Sequence, residues 1–204
     1  MVVEQLFRTA AAVRSGKALH PRGAVVPATV VRHGLSPRTG VGWVDEPGED
    51  RALVRLSRGA GLPPPLPDVL GLALRVTSPA GEPWDLLLAS TGEGVLGRRL
   101  PQPRRWPGAF CSSVAAFTTP GGPLLVGAKE RGGRWLLAVA RPRGTWRPFA
   151  ELVLHADPRT ADDEPLTFEP VRHAVPGLGF SRRWRRVREP GYAGSREGRG
   201  QAGS

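Results

Sequence analysis

Hydrophobic positions along this chain recur on two different periods. Over residues 3–14, Val3, Leu6, Phe7, Ala10, Ala11 and Val13 lie three and four apart. That spacing lines one face of a helix and predicts a short amphipathic one. Ser15-Gly16 ends the pattern. After it the period shortens. Residues 24–32 are dense in β-branched side chains, and residues 52–57 alternate apolar with polar. Residues 69–77 and 84–89 form two apolar runs around Ser78-Pro79-Ala80-Gly81, which has the composition of a hairpin connection. Residues 109–118, 124–129, 135–140, 149–155 and 165–168 continue the series, parted by Pro120-Gly121-Gly122 and Gly132-Gly133. Short strands with Gly/Pro turns predict a barrel or a sandwich. Residues 62–67 read as a stiff proline-rich loop and 96–108 as a basic irregular link. A last helix is expected over 180–188, and residues 193–204 have the small, polar, glycine-rich composition of a tail.

Composition narrows the picture. At 204 residues the chain reads as one domain over 1–192 followed by the tail 193–204. Gly 27 and Pro 22 fit many turns and few long helices. Lys17 and Lys129 are the only lysines beside abundant arginine, which points to GC-rich bacterial coding. Cys111 is the only cysteine, which excludes an internal disulfide, a cysteine zinc site and an iron–sulfur cluster. The start, Met1-Val2-Val3-Glu4-Gln5, lacks the basic and apolar regions of a secretion signal, and no apolar run reaches membrane-spanning length. A cytoplasmic protein with no membrane partner is expected.

The net charge is +11, yet the arginines are spread along the chain. The one dense cluster is Arg182, Arg183, Arg185, Arg186 and Arg188, with only Trp184 interleaved. No zinc finger, RNA-recognition or basic-zipper pattern accompanies it, so nucleic acid is not the expected partner.

Two segments near the ends carry candidate chemistry. One is Leu19-His20-Pro21-Arg22-Gly23-Ala24; the other is Arg188-Glu189-Pro190-Gly191-Tyr192, followed by Arg199. Between them come Val54-Arg55-Leu56-Ser57, then Asp68-Val69-Leu70-Gly71-Leu72-Ala73-Leu74-Arg75-Val76, then Gly81-Glu82-Pro83-Trp84-Asp85-Leu86. Leu166-Thr167-Phe168-Glu169-Pro170 and Pro176-Gly177-Leu178-Gly179-Phe180-Ser181 follow in order. In this order the segments resemble the catalase superfamily, and within it the short catalase-related haem peroxidases, over about residues 14–199.

The resemblance implies an α+β fold: a closed antiparallel β-barrel of about eight strands with short N- and C-terminal helices. It implies haem b, with Tyr192 as the phenolate ligand to iron and Arg188 and Arg199 placing positive charge beside it. His20 would be the distal acid–base and Ser57 its orienting hydroxyl. Arg55 and Lys17 would meet the propionates. Peroxide and a small organic substrate are the implied partners, and association of copies into a homo-oligomer is implied as well.

The chain departs from that pattern in places. No Asn or Gln stands at residues 87–91, where the family carries a distal amide; Ser90 or Thr91 is the remaining candidate donor. Gly94-Val95 replaces a phenylalanine pair, which opens the wall over the cofactor. Pro190-Gly191 interrupts any continuous helix between Arg188 and Tyr192 unless Pro190 begins it. The departures point to a peroxidase-like or specialised oxidation rather than efficient catalase turnover. Two other readings stand beside it. One is a haem-free binding protein on the same fold. The other is a metal-dependent hydrolase or phosphodiesterase using His155 and Asp157, spaced as on one strand face, with Asp162-Asp163-Glu164 nearby. No Gly-x-Ser-x-Gly elbow or Gly-rich phosphate loop is present.

Overall fold

A computed structural model describes residues 22–164 and 166–180. The helix expected over 3–14, the tail 193–204 and, but for Phe180, the helix expected over 180–188 lie outside them. Among the described residues the strands are β1 (Arg22–Arg32), β2 (Gly48–Arg58), β3 (Asp68–Thr77), β4 (Pro83–Ser90), β5 (Pro103–Arg104), β6 (Phe110–Ser112), β7 (Leu125–Arg131), β8 (Arg134–Ala140) and β9 (Arg147–Leu154). A single helical turn, α1 (Gly42–Asp45), sits between β1 and β2.

All pairings are antiparallel. Neighbours run β2-β1-β9-β8-β7-β6-β4-β3, and β3 pairs again with β2. Eight strands therefore close into a barrel, as expected, and β5 is a two-residue addition at the start of β3. Closure follows from the alternation. In β1, Val26, Ala28 and Val30 are buried while Pro27 between them is exposed. Ala52, Val54 and Leu56 of β2 and Leu70, Leu72, Leu74 and Val76 of β3 continue the inward set. An eight-stranded barrel is just wide enough for such side chains to fill it. With these side chains filling the interior, the outside is the face open to a sizeable ligand.

The turn α1 plugs one end. Trp43 packs edge-on against Phe149, with ring centroids 5.4 Å apart, and its Nε1 donates to Asp50 at 2.9 Å. Arg32 Nε donates to the same carboxylate at 2.7 Å. Asp45 gathers the backbone before the turn: Thr39 N–H, Thr39 Oγ1, Gly40 N–H and Val41 N–H all donate to it. Burial pushes its carboxyl pKa up, but these hydrogen bonds outweigh burial and hold it below the usual carboxylate value.

Three local expectations change. The strand over 109–118 ends at Ser112. There Ser112 Oγ accepts Val114 N–H at 3.1 Å, Ser113 Oγ donates to Ala115 O, and Val114 takes a φ of 60° that no strand allows. Leu166, Thr167 and Phe168, expected in a strand, join no ladder; side chains of β3 and β4 hold this segment instead. The link over 96–108 contains a 3₁₀ turn (Gly97–Arg99) as well as β5.

Candidate functional site on the outer face of β1–β4

Register places the outward residues of β1–β4 in rows. Gly23, Ser57, Gly71 and Ala89 stand side by side, all of them small. The next row is Val25, Arg55, Ala73 and Leu87, and the one beyond is Pro27, Leu53, Arg75 and Asp85. Side chains this small bring whatever covers the row close to the sheet backbone, and over Gly23 that is the Arg55 guanidinium. Leu53 is 37% exposed, unusual for a leucine in a barrel strand, and extends the apolar face.

Charge bounds this face on one side. Arg55 donates from Nε to Asp163 Oδ1 and from Nη2 to Asp163 Oδ2, both at 2.8 Å. Gly23 N–H donates to the same carboxylate at 2.8 Å. Hydrogen bonding from Arg55 is the main reason the Asp163 carboxyl lies below its usual pKa. The guanidinium lies flat on Gly23, where an added Cβ would sit 2.8 Å from its Cζ. Glycine there permits the close approach.

A second network strengthens the opposite side. Asp85 exposes none of its side chain. Arg75 donates to both its oxygens at 2.7 Å, Glu169 N–H donates to Oδ2 at 2.7 Å, and His173 Nδ1 lies 3.0 Å from Oδ2. Arg75 also donates to Thr167 O and lies over the Phe168 ring at 5.2 Å. Asp85 N–H donates back to His173 O at 2.6 Å. Residues 166–173 are thus strapped across β3 and β4.

Of the residues singled out from sequence, Lys17, His20, Arg188, Tyr192 and Arg199 lie outside the described residues. Arg55 and Ser57 are neighbours on the outer face of β2, and Ser57 Oγ donates to Gly71 O at 3.3 Å. Ala89 is the β4 member of the small row, opposite Gly71. Of the two candidate donors beside it, Ser90 is turned away from this face. Ser90 is fully buried, accepts Leu70 N–H and donates to Gln102 O. Thr91 Oγ1 is buried with no hydrogen-bond partner among the described residues. The loop with Gly94-Val95 is anchored beside β7, where Trp146 Nε1 donates to Glu93 O at 2.9 Å and Lys129 pairs with Glu93.

The strand supposed to align His155 with Asp157 ends at Leu154. Thr29 Oγ1 lies 2.8 Å from His155 Nε2, while Asp157 is gripped by Arg159, which lowers its carboxyl pKa to about 2. Asp163 of the adjacent acidic run turns to Arg55. No group of three or more His, Cys, Asp or Glu that could hold a metal forms among the described residues.

Sequence reasoning missed the partners of Arg55 and Asp85. The Arg75–Asp85 pairing had a partial signal in the turn residues after Thr77, but the connection that sets these residues opposite one another is five residues long, 78–82, one more than the turn at 78–81. His173 and Asp163 had none, being 88 and 108 residues from their partners.

Among solved structures, the chain is similar to a fungal catalase, with a TM-score of 0.57 at 12% sequence identity. The match covers 85% of this chain and spans 58% of that catalase's length. The fold is catalase-like. No family model and no curated protein matches the sequence.

Proposed function

We propose that the outer face of β1–β4 binds a flat apolar cofactor of the haem type, and that the protein performs peroxide-dependent oxidation of a small organic molecule. The observation that carries this reading is the row Gly23, Ser57, Gly71 and Ala89 on a catalase-like barrel. The face fits such a group in two respects: its row of side chains is small, and Arg55 stands beside that row for an acidic substituent. Bound haem would supply a redox-active iron able to accept oxidising equivalents from peroxide. Tyr192 would hold the iron, with Arg188 and Arg199 favouring its phenolate and Lys17 answering a second acidic substituent. His20 would take a proton from one peroxide oxygen and return it to the other. Ser57 would orient that imidazole. With Ala89 where an amide donor is expected, oxidation of a donor molecule is favoured over disproportionation of hydrogen peroxide.

The test is reconstitution with haemin followed by visible spectroscopy. A Soret band that Tyr192→Phe shifts or abolishes, and that Ala89→Trp weakens by filling the face, supports the assignment. Two variants with unchanged spectra sink it. One observation favours a second reading. Arg55 is already neutralised by Asp163, which suits a haem-free fold holding an uncharged apolar molecule; no Soret band after reconstitution would favour it.

A further inference from the structure

We propose that the barrel end carrying the β2–β3 and β4–β6 connections docks on an anionic lipid surface. Two loops meet there. Residues 59–67 join β2 to β3, and residues 91–109 join β4 to β6. They are fastened together: β5 pairs with the start of β3, and Arg105 Nε donates to Pro65 O at 2.7 Å. Gln102 N–H donates to Ser90 O, fixing the second loop to the end of β4.

This joined surface concentrates the exposed large apolar side chains of the described residues. Leu96 is 87% exposed, Leu100 59%, Leu66 50%, Val95 44% and Leu62 41%. Such residues scattered singly need no explanation, but five of the six exposed among the described residues fall on these two joined loops, which marks an interaction surface. Arg99, Arg104 and Arg105 are exposed among them. Residues 60–67 and 96–107 contain no acidic side chain, and Glu93, the one acid in residues 91–109, is paired with Lys129. Asp68, next in line, is buried and occupied by Ala60, Leu62 and Val69 N–H.

Apolar tips flanked by arginines, with no acid between, are complementary to a phosphate-bearing surface over hydrocarbon. The leucines stand exposed in loops, Leu96 most of all, which suits insertion into a fluid interface. A second copy is the wrong occupant, because the same arginines would face each other on a chain of net charge +11. The absence of a spanning segment, read from sequence, bears on crossing a bilayer and not on resting against one; no helix of the described residues is long and apolar enough to cross.

The test is co-sedimentation of the full chain with vesicles of phosphatidylcholine alone and of phosphatidylcholine mixed with phosphatidylglycerol. Binding is expected only to the second. The double variant Leu96→Glu/Leu100→Glu is expected to lower partitioning more than about tenfold. Arg104→Glu is expected to lower it about fivefold or more. Arg38→Glu, an equal charge change beyond the opposite end of β1, should leave it within about twofold. Circular dichroism confirms that each variant is folded, and all four positions are solvent-exposed. The proposal is overturned by equal binding to both vesicles, by leucine variants that bind normally, or by equal losses in Arg38→Glu and Arg104→Glu. No vesicle binding also overturns it and leaves the surface to an acidic protein partner.

Discussion

Arg75 and Asp85 face each other across the β3–β4 hairpin through two parallel hydrogen bonds of 2.7 Å, at a point where the carboxylate has no contact with water. The same carboxylate also accepts Glu169 N–H and meets His173, so one buried charge fastens a distant segment to the barrel. This relationship stiffens the outer face on which the proposed ligand would rest.

Breaking it should be costly. Removing one partner of a buried ion pair typically costs about 3–5 kcal/mol, since the other is left uncompensated. Asp85→Ala should fall in that range by urea unfolding. Arg75→Met should cost less, because Asp85 keeps the Glu169 N–H and His173. Equal losses would show that the backbone bond to Glu169 contributes nothing.

Acid should weaken the fold through two carboxylates. Asp45 and Asp163 both have pKa values below the ordinary carboxylate value in the folded state. A depressed folded pKa gives stability that is fully present above the unfolded value, roughly 3.9 for Asp. That stability is lost as pH falls below it, through the folded value. The acid limb of the stability curve should therefore lie below about pH 4. Asp45→Asn should flatten that limb and lower stability at neutral pH, because it weakens the acceptor for four donors. Chemical denaturation at several pH values measures both effects; an unchanged pH slope in the variant would rule Asp45 out as its source.

Much of this barrel was legible in the chain. The β-branched density of residues 24–32, the alternation in 52–57 and the turn residues at 78–81 place β1 to β4. Counting back from a turn at 78–81 would have put Arg75 against Trp84; the connection runs over residues 78–82, and that extra residue sets Arg75 against Asp85 and Gly71 against Ala89. What could not be read are partners chosen by closure of the barrel. Asp163 finds Arg55 across 108 residues, and an acidic run offers no sign of which arginine it will meet. The His155 and Asp157 spacing misled because period two has meaning only inside a strand, and this strand stops at Leu154. Residues 109–118 misled for the converse reason: their apolar content suits a strand, but the hydroxyls of Ser112 and Ser113 capture the backbone that would have continued it.

Gly127 should tolerate no side chain. A Cβ there would lie 2.7 Å from Phe110 Cζ and 2.9 Å from Trp146 Cζ3, and those two rings pack against each other with centroids 4.9 Å apart. Trp146 in turn covers the Arg98 guanidinium, which is buried and, among the described residues, has no carboxylate partner and bonds only to carbonyl oxygens. Gly127→Ala should destabilise by about 1–3 kcal/mol, the usual range for overpacking. It should also change tryptophan fluorescence, since the Trp146 ring must move. A normal unfolding midpoint would mean that the rings shift freely.

Ala89 is a position where function can be gained. Asn at this place restores an amide on the row beside Ser57 and Gly71. A donor aimed at a reacting oxygen is typically worth roughly 10²–10³ in rate. Ala89→Asn, loaded with haem, should evolve oxygen from hydrogen peroxide at least about tenfold faster than the parent while oxidising organic donors less well. Assaying both reactions per haem decides it. A parent that already evolves oxygen at the variant's rate would show that the missing amide is not limiting.

The Arg55–Asp163 pair yields the sharpest test of what the outer face receives. A guanidinium already held by a carboxylate on two bonds of 2.8 Å offers little net charge to an incoming acid. An acidic cofactor edge must therefore compete with Asp163. Asp163→Asn removes that competitor's charge while keeping its shape, so haemin should bind more tightly, by about tenfold if one charge-assisted pair is exchanged for another. The same substitution should reduce stability slightly without haem, because Gly23 N–H and Arg55 then share a neutral acceptor. These effects have opposite signs, so a general loosening of the structure cannot produce both. Titration with haemin monitored at the Soret band gives the first, and urea unfolding of the cofactor-free protein gives the second. Weaker haemin binding in Asp163→Asn would mean that Asp163 positions Arg55 for the ligand. Unchanged binding would mean that Arg55 is a strut of the barrel and the ligand's charge is answered elsewhere.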